Sequence, residues 1–73
     1  MDVKKLFGAN LRRVRLEKGL TQETLEGLSG FDRSYIGGLE RGVRNPSLTA
    51  IANLADALGV LPVVLLDGYN PKG

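Results

Sequence analysis

Apolar positions recur along this chain at helical rather than strand spacing. Val3, Phe7, Leu11 and Val14 are separated by four, four and three residues, which places them on one face of a helix running from about Asp2 to Lys18. Asp2 is positioned to cap that helix and Gly19 to stop it. Thr21 opens a second helix, because its hydroxyl can accept from the unpaired N–H groups of the first turn; Leu25 and Leu28 form its buried side. It ends near Ser29, where Gly30 supplies the positive φ of a sharp turn and Phe31 pins that turn to the core. The third helix is predicted from the Asp32 cap to Arg41, with Tyr35, Ile36 and Leu39 along one side and Gly42 as the stop. Asn45-Pro46-Ser47 breaks the chain, and Leu48, Ile51, Ala55 and Leu58 then repeat at three, four and three before Gly59. Leu61–Leu66 reads as a short fifth helix with Pro62 in its first turn, although Val63 and Val64 also permit a strand. The pattern predicts an all-α fold, one domain over residues 1–67, and a short flexible tail over 68–73.

A chain of 73 residues holds one domain with a small core. It has no cysteine and no histidine, which removes disulfides, cysteine-based zinc sites and the commonest catalytic base. No cofactor, metal site or catalytic arrangement is expected, and so no enzyme. The longest apolar run, Val60–Leu66, is far shorter than the ~20 residues of a membrane span, and no leader-like segment opens the chain, so a cytoplasmic protein is expected. Basic residues are unevenly placed. Lys4, Lys5, Arg12, Arg13, Arg15 and Lys18 lie in the first quarter, Arg33, Arg41 and Arg44 near the middle, and none falls between Thr49 and Asn70. One half suits a polyanion and the other is apolar. Arg12, Arg13 and Lys18 are read as the solvated face of the first helix.

Two short helices joined by a tight glycine turn fix the second at a steep angle, able to project into a DNA major groove. With Ile36 set inward at about 100° per residue, Ser34, Gly37, Gly38 and Arg41 occupy the opposite sector, flanked by Arg33 and Tyr35. No acidic side chain lies in that sector. Arg33 suits two parallel hydrogen bonds to a guanine, and Ser34 and Tyr35 suit bases or phosphates. Gly37 and Gly38 are expected to leave the face flat for a close approach. Glu40 falls only roughly 40° from Ile36, so its carboxylate points toward the core and needs a cation. Arg15, beside the buried stripe of the first helix, is the candidate.

Arg15, Gly19-Leu20-Thr21-Gln22-Glu23, Leu25, Gly30, Asp32-Arg33-Ser34-Tyr35-Ile36, Leu39-Glu40-Arg41-Gly42 and Asn45-Pro46-Ser47-Leu48 stand in fixed register. Together they resemble the phage-repressor and Cro family, also called Xre-like, from about Leu11 to Val60. The resemblance implies a compact five-helix, lambda-repressor-like domain, with its helix-turn-helix at helices 2 and 3, that binds operator DNA as a homodimer and regulates transcription. It implies an internal Arg15–Glu40 pair, a phosphate or outer-base contact from Gln22, and base reading by Arg33 and Ser34, joined by Tyr35. Arg41, Arg44, Asn45 and Ser47 then lie in the loop whose side chains and N–H groups hold phosphates. The run from Asp32 to Arg41 is also similar to the controller proteins of restriction-modification systems. Two positions depart from the family pattern. Glu26 stands where a small alanine is usual and Gly27 follows it, which predicts a looser or shifted second helix; Gly38 replaces a long polar base reader, which shifts discrimination toward DNA shape.

Seven uncharged residues at Val60–Leu66 exceed what so small a core covers. Leu61, Val63, Val64, Leu65 and Leu66 are therefore the expected dimer interface, placing two third helices about 34 Å apart on one DNA face. The competing reading gives this apolar C-terminal end to a different protein partner.

Overall fold

Every α-helix of the chain opens on a side chain that accepts hydrogen bonds from its first turn. In a computed structural model, which describes residues 1–72, Asp2 accepts from the N–H groups of Lys4 and Lys5, Thr21 from Thr24, Asp32 from Ser34 and Ser47 from Ala50. The elements these caps begin are α1 (Val3–Glu17), α2 (Gln22–Ser29), α3 (Arg33–Glu40) and α4 (Leu48–Leu58). A 3-10 helix follows at Pro62–Leu66, and the described residues contain no strand. The strand reading of Val63 and Val64 is thereby set aside: Pro62 presets the first turn, and the Val64 N–H closes a turn on the Leu61 carbonyl at 3.0 Å.

α1 packs on α3 and on the 3-10 helix, α2 on α3 and α4, and α4 on the 3-10 helix. Phe7, Leu11, Val14, Leu25, Ile36, Leu39, Leu54, Ala55, Leu58 and Leu65 meet in one core. Burying a leucine or phenylalanine of this kind contributes about 1.5–3 kcal/mol. Three apolar positions predicted to face inward do not: Val3 is 42%, Leu28 55% and Leu48 84% exposed. Each lies at or next to the end of its helix, where the apolar stripe outruns the neighbours that cover it.

The α1–α3 crossing depends on a residue that periodicity does not flag. A Cβ built on Gly8 would lie 2.1 Å from the Leu39 carbonyl oxygen and 2.8 Å from that of Glu40. Only a glycine lets the end of α3 come this close. Asn10, also buried, donates from its amide to the carbonyls of Leu65 at 3.1 Å and Asp67 at 2.9 Å, tying the C-terminal segment to α1. Beyond it the Tyr69 N–H reaches the Leu66 carbonyl at 3.1 Å and the Asn70 N–H reaches the Met1 sulfur at 3.4 Å. Of the predicted tail, Gly73 lies outside the described residues.

Candidate nucleic-acid interface

The turn between α2 and α3 is three residues long, and its first is Gly30 at φ 78°, a conformation costly for any residue with a Cβ. The Gly30 N–H closes α2 on the Glu26 carbonyl at 2.9 Å, and the Ser29 hydroxyl accepts from the Phe31 N–H at 3.1 Å. Asn53 of α4 donates to the Ser29 carbonyl at 3.1 Å, so the turn is fastened to the body of the domain. The sequence reading of a loosened α2 is corrected here. Glu26 turns toward the start of α3 and accepts the Arg33 N–H at 2.7 Å, and Gly27 faces open space, so neither disturbs the helix.

α3 is held from beneath by a buried ion pair. Arg15 Nε and Nη2 donate to the two carboxylate oxygens of Glu40 at 2.7 and 2.9 Å, and the side chains are 8% and 4% exposed. Arg15 Nη1 donates to the Leu20 carbonyl at 2.8 Å, joining the same group to the α1–α2 connection. Donation of hydrogen bonds to Glu40 raises the pKa of Arg15 against the opposing effect of burial. Gln22 completes the network, donating from Nε2 to Glu40 at 3.1 Å. That bond leaves the other amide hydrogen and the carbonyl oxygen of a half-buried Gln22 for an outside partner.

The outer face of α3 is not the flat glycine surface that angular spacing predicts. Gly37 and Gly38 are both buried, because side chains from elsewhere lie over them. A Cβ on Gly37 would sit 3.1 Å from Arg41 Nη1 and 3.8 Å from Gln22 Nε2, and one on Gly38 only 2.5 Å from Arg44 Cγ. Arg44 continues across the helix until its guanidinium carbon stands 5.2 Å from the centroid of the Tyr35 ring. Tyr35 is half-buried, tilted at 58° against Phe31. The glycines therefore seat cations instead of baring backbone, and Gln22, Arg41, Arg44 and Tyr35 converge on the middle of α3.

Arg33 lies at the start of the same helix with its side chain 59% exposed and Nη1 3.6 Å from a Glu23 carboxylate oxygen. Ser34 is exposed, but its hydroxyl donates to Asp32, whose carboxyl this bond and the Ser34 N–H hold below its ordinary value. Ser47 likewise serves α4, accepting the Ala50 N–H at 3.1 Å. Asn45 is exposed in the loop between them. The backbone of that loop is less available than the resemblance implies. Val43 and Arg44 both donate to the Gly38 carbonyl, at 3.0 and 3.3 Å, and Arg41 and Gly42 to those of Gly37 and Leu39, so these four N–H groups are already engaged within the chain.

A family profile for the helix-turn-helix domain matches residues 6–67 of this chain. The chain belongs to that family. It is 53% identical, over 90% of its own length and 86% of the relative's, to the uncharacterised HTH-type transcriptional regulator y4dJ of Sinorhizobium fredii. Among solved structures it is similar to the restriction-modification controller protein C.AhdI from Aeromonas hydrophila, with a TM-score of 0.82 and 56% identity over 85% of this chain and 94% of that one. The controller protein C.Esp1396I, solved as a tetramer with its natural 35-base-pair operator, superposes with a TM-score of 0.81 at 35% identity, covering 89% and 86% of the two chains.

In this helix-turn-helix protein the apolar C-terminal residues divide into two sets. Leu61 and Val63 are 70% and 68% exposed, and Val64 and Leu66 are partly covered. Leu65 is 0% exposed, inside the core with Phe7 and Leu58. Its assignment to an interface is corrected: the 3-10 turn sends one side chain in three or so inward, and Leu65 is the one that the Asn10 clamp on its carbonyl draws toward α1. The sequence reading missed Gly8 and Asn10, gave Glu26 a different role, and carried a signal for Asn10 and Glu26. A polar residue beside a buried apolar stripe was the available signal for Asn10; for Glu26 it was the family departure itself. Among the described residues no helix is long and apolar enough to cross a membrane, and there is no metal-binding cluster.

Proposed function

We propose that this protein is a cytoplasmic transcriptional regulator, and not an enzyme, that binds a two-fold operator as a homodimer. The observation that carries the reading is the arrangement on α3: Arg33 exposed at its start beside Glu23, Arg41 and Arg44 laid across its middle, and Gln22 beside them, all on a helix braced by the Arg15–Glu40 pair. Arginines at fixed positions on a braced helix suit the acceptor pair of a guanine and the phosphates that flank it. Arg33 and Tyr35 meet bases, with Ser34, whose hydroxyl donates to the Asp32 cap, as a close contact. Gln22, Arg41, Arg44 and Asn45 hold phosphates and outer bases, and Ser47 contributes through the α4 N-terminus it caps. Leu61 and Val63, with Val64 and Leu66 behind them, form the symmetric contact between protomers. The operator complex of C.Esp1396I supports this assignment, as does similarity to restriction-modification controllers, the sub-family we favour.

The test is selection of bound sites from a randomised duplex pool near physiological salt, run beside Arg33→Ala, with sedimentation of wild type and Val63→Asp. A two-fold motif that relaxes in Arg33→Ala, and a dimer that dissociates in Val63→Asp, are expected. Recovery of no motif from a dimeric protein refutes operator recognition and transfers the function to the apolar end and a different protein partner.

A further inference from the structure

The N-terminus of α3 carries an acceptor that a helix of this kind does not require. Asp32 already caps it through the Ser34 N–H at 2.8 Å. Glu26 nevertheless reaches across from α2 and accepts the Arg33 N–H at 2.7 Å. It is partly buried between the two helices, while Glu23, one turn earlier, meets the Arg33 guanidinium from solvent at 3.6 Å. α2 thus grips Arg33 at its backbone and again at its side chain. The backbone grip has two physical effects. It fixes α3 relative to α2 at the residue from which the foremost reading side chain springs, and misplacement of such a group by about 1 Å is enough to lose a directional contact. It also places a negative charge on the donor end of α3, where open N–H groups would otherwise take a phosphate of any sequence.

We infer that Glu26 is a positioning residue for sequence discrimination: its carboxylate locks the start of α3 and denies the Arg33 N–H to the DNA backbone, leaving Arg33 to engage bases by its side chain alone. The inference rests on the reading of α3 as the DNA-reading helix. Bracing alone predicts equal losses on all duplexes. Positioning with exclusion predicts that preference between duplexes falls while binding to random DNA holds or rises.

The experiment pairs amide hydrogen exchange at Arg33, followed by NMR on the full chain without DNA, with affinities for the selected duplex and for a random duplex. Glu26→Ala is expected to speed Arg33 exchange and to lower the ratio of selected to random affinity, each by about tenfold, the scale of one hydrogen bond to a charged group. Glu26→Gln, which keeps an acceptor oxygen, should restore most of both. Glu23→Gln removes the same charge from α2 without touching the N–H, and should leave the amide protected. An Arg33 amide that exchanges equally fast in wild type and Glu26→Ala overturns the inference, because the bond is then not populated. Loss of protection with an unchanged affinity ratio also overturns it, reducing Glu26 to a brace. A protected amide in a wild-type protein that prefers no duplex refutes the DNA reading itself, and with it the discriminating role, while the bond stands.

Discussion

Removing Arg15 tests whether the buried pair organises this fold. The pair is bidentate, at 2.7 and 2.9 Å, and almost fully withdrawn from water, so both ions have lost most of their hydration. Arg15→Met leaves the Glu40 carboxylate buried with Gln22 as its one remaining side-chain donor. Breaking one side of such a pair costs about 3–5 kcal/mol. A domain of this length has a total stability of about 4–11 kcal/mol, so this single change should remove between about a quarter and all of it. Urea denaturation followed by far-UV circular dichroism reads the loss as a large fall in midpoint. Arg15→Met combined with Glu40→Leu should recover most of the loss, because no uncompensated charge is then left inside. The exposed Arg13–Glu17 pair at 3.0 Å is the internal control; its side chains are 45% and 61% exposed, and Arg13→Met should cost under about 1 kcal/mol. The reasoning is refuted if Arg15→Met costs no more than Arg13→Met, or if the double variant is less stable than either single one. The raised pKa of Arg15 contributes stability that is present below its unfolded value and lost only as pH rises through the higher folded one. Both lie far above neutrality, so the cost of Arg15→Met should not change through the neutral range.

Gly8→Ala drives a methyl group into the Leu39 carbonyl, backbone that cannot swing aside, and should destabilise by about 3 kcal/mol, read as a drop in Tm. Gly38→Ala meets instead Arg44 at Cγ, which must change rotamer to clear it, so the gain of about 0.5–1 kcal/mol from helix propensity is offset and the loss should stay well below that of Gly8→Ala. The affinity of Gly38→Ala for the selected duplex should fall as Arg44 leaves its seat over Tyr35; unchanged affinity in a shift assay would show that seat to be unused. Asp32 has a lowered pKa, chiefly from the Ser34 hydroxyl, so its contribution is present above 3.8 and lost as pH falls through the lower folded value. Asp32→Asn should therefore flatten the acid side of the stability profile between those values, measured by urea midpoint against pH.

How far the sequence reached differs from residue to residue, and the reason is range. Helix starts at Asp2, Thr21 and Asp32, the stop at Gly30 and the apolar stripes of α1 and α3 follow from interactions within a turn or two of the chain. The sequence alone sufficed for these, and for the absence of cysteine and histidine chemistry, because neighbouring residues decide them. The inward tilt of Glu40 came from helical geometry, and its partner from the position of Arg15 beside the stripe of α1. Tertiary structure decided what lies across each helix. That Gly37 and Gly38 are covered by Arg41 and Arg44, that Glu26 fastens α3 instead of loosening α2, that Gly8 sits under a carbonyl and that Leu65 turns inward all depend on which surfaces meet. A periodicity gives the direction of a side chain from its own helix axis; only the packed fold places another group at the end of that direction.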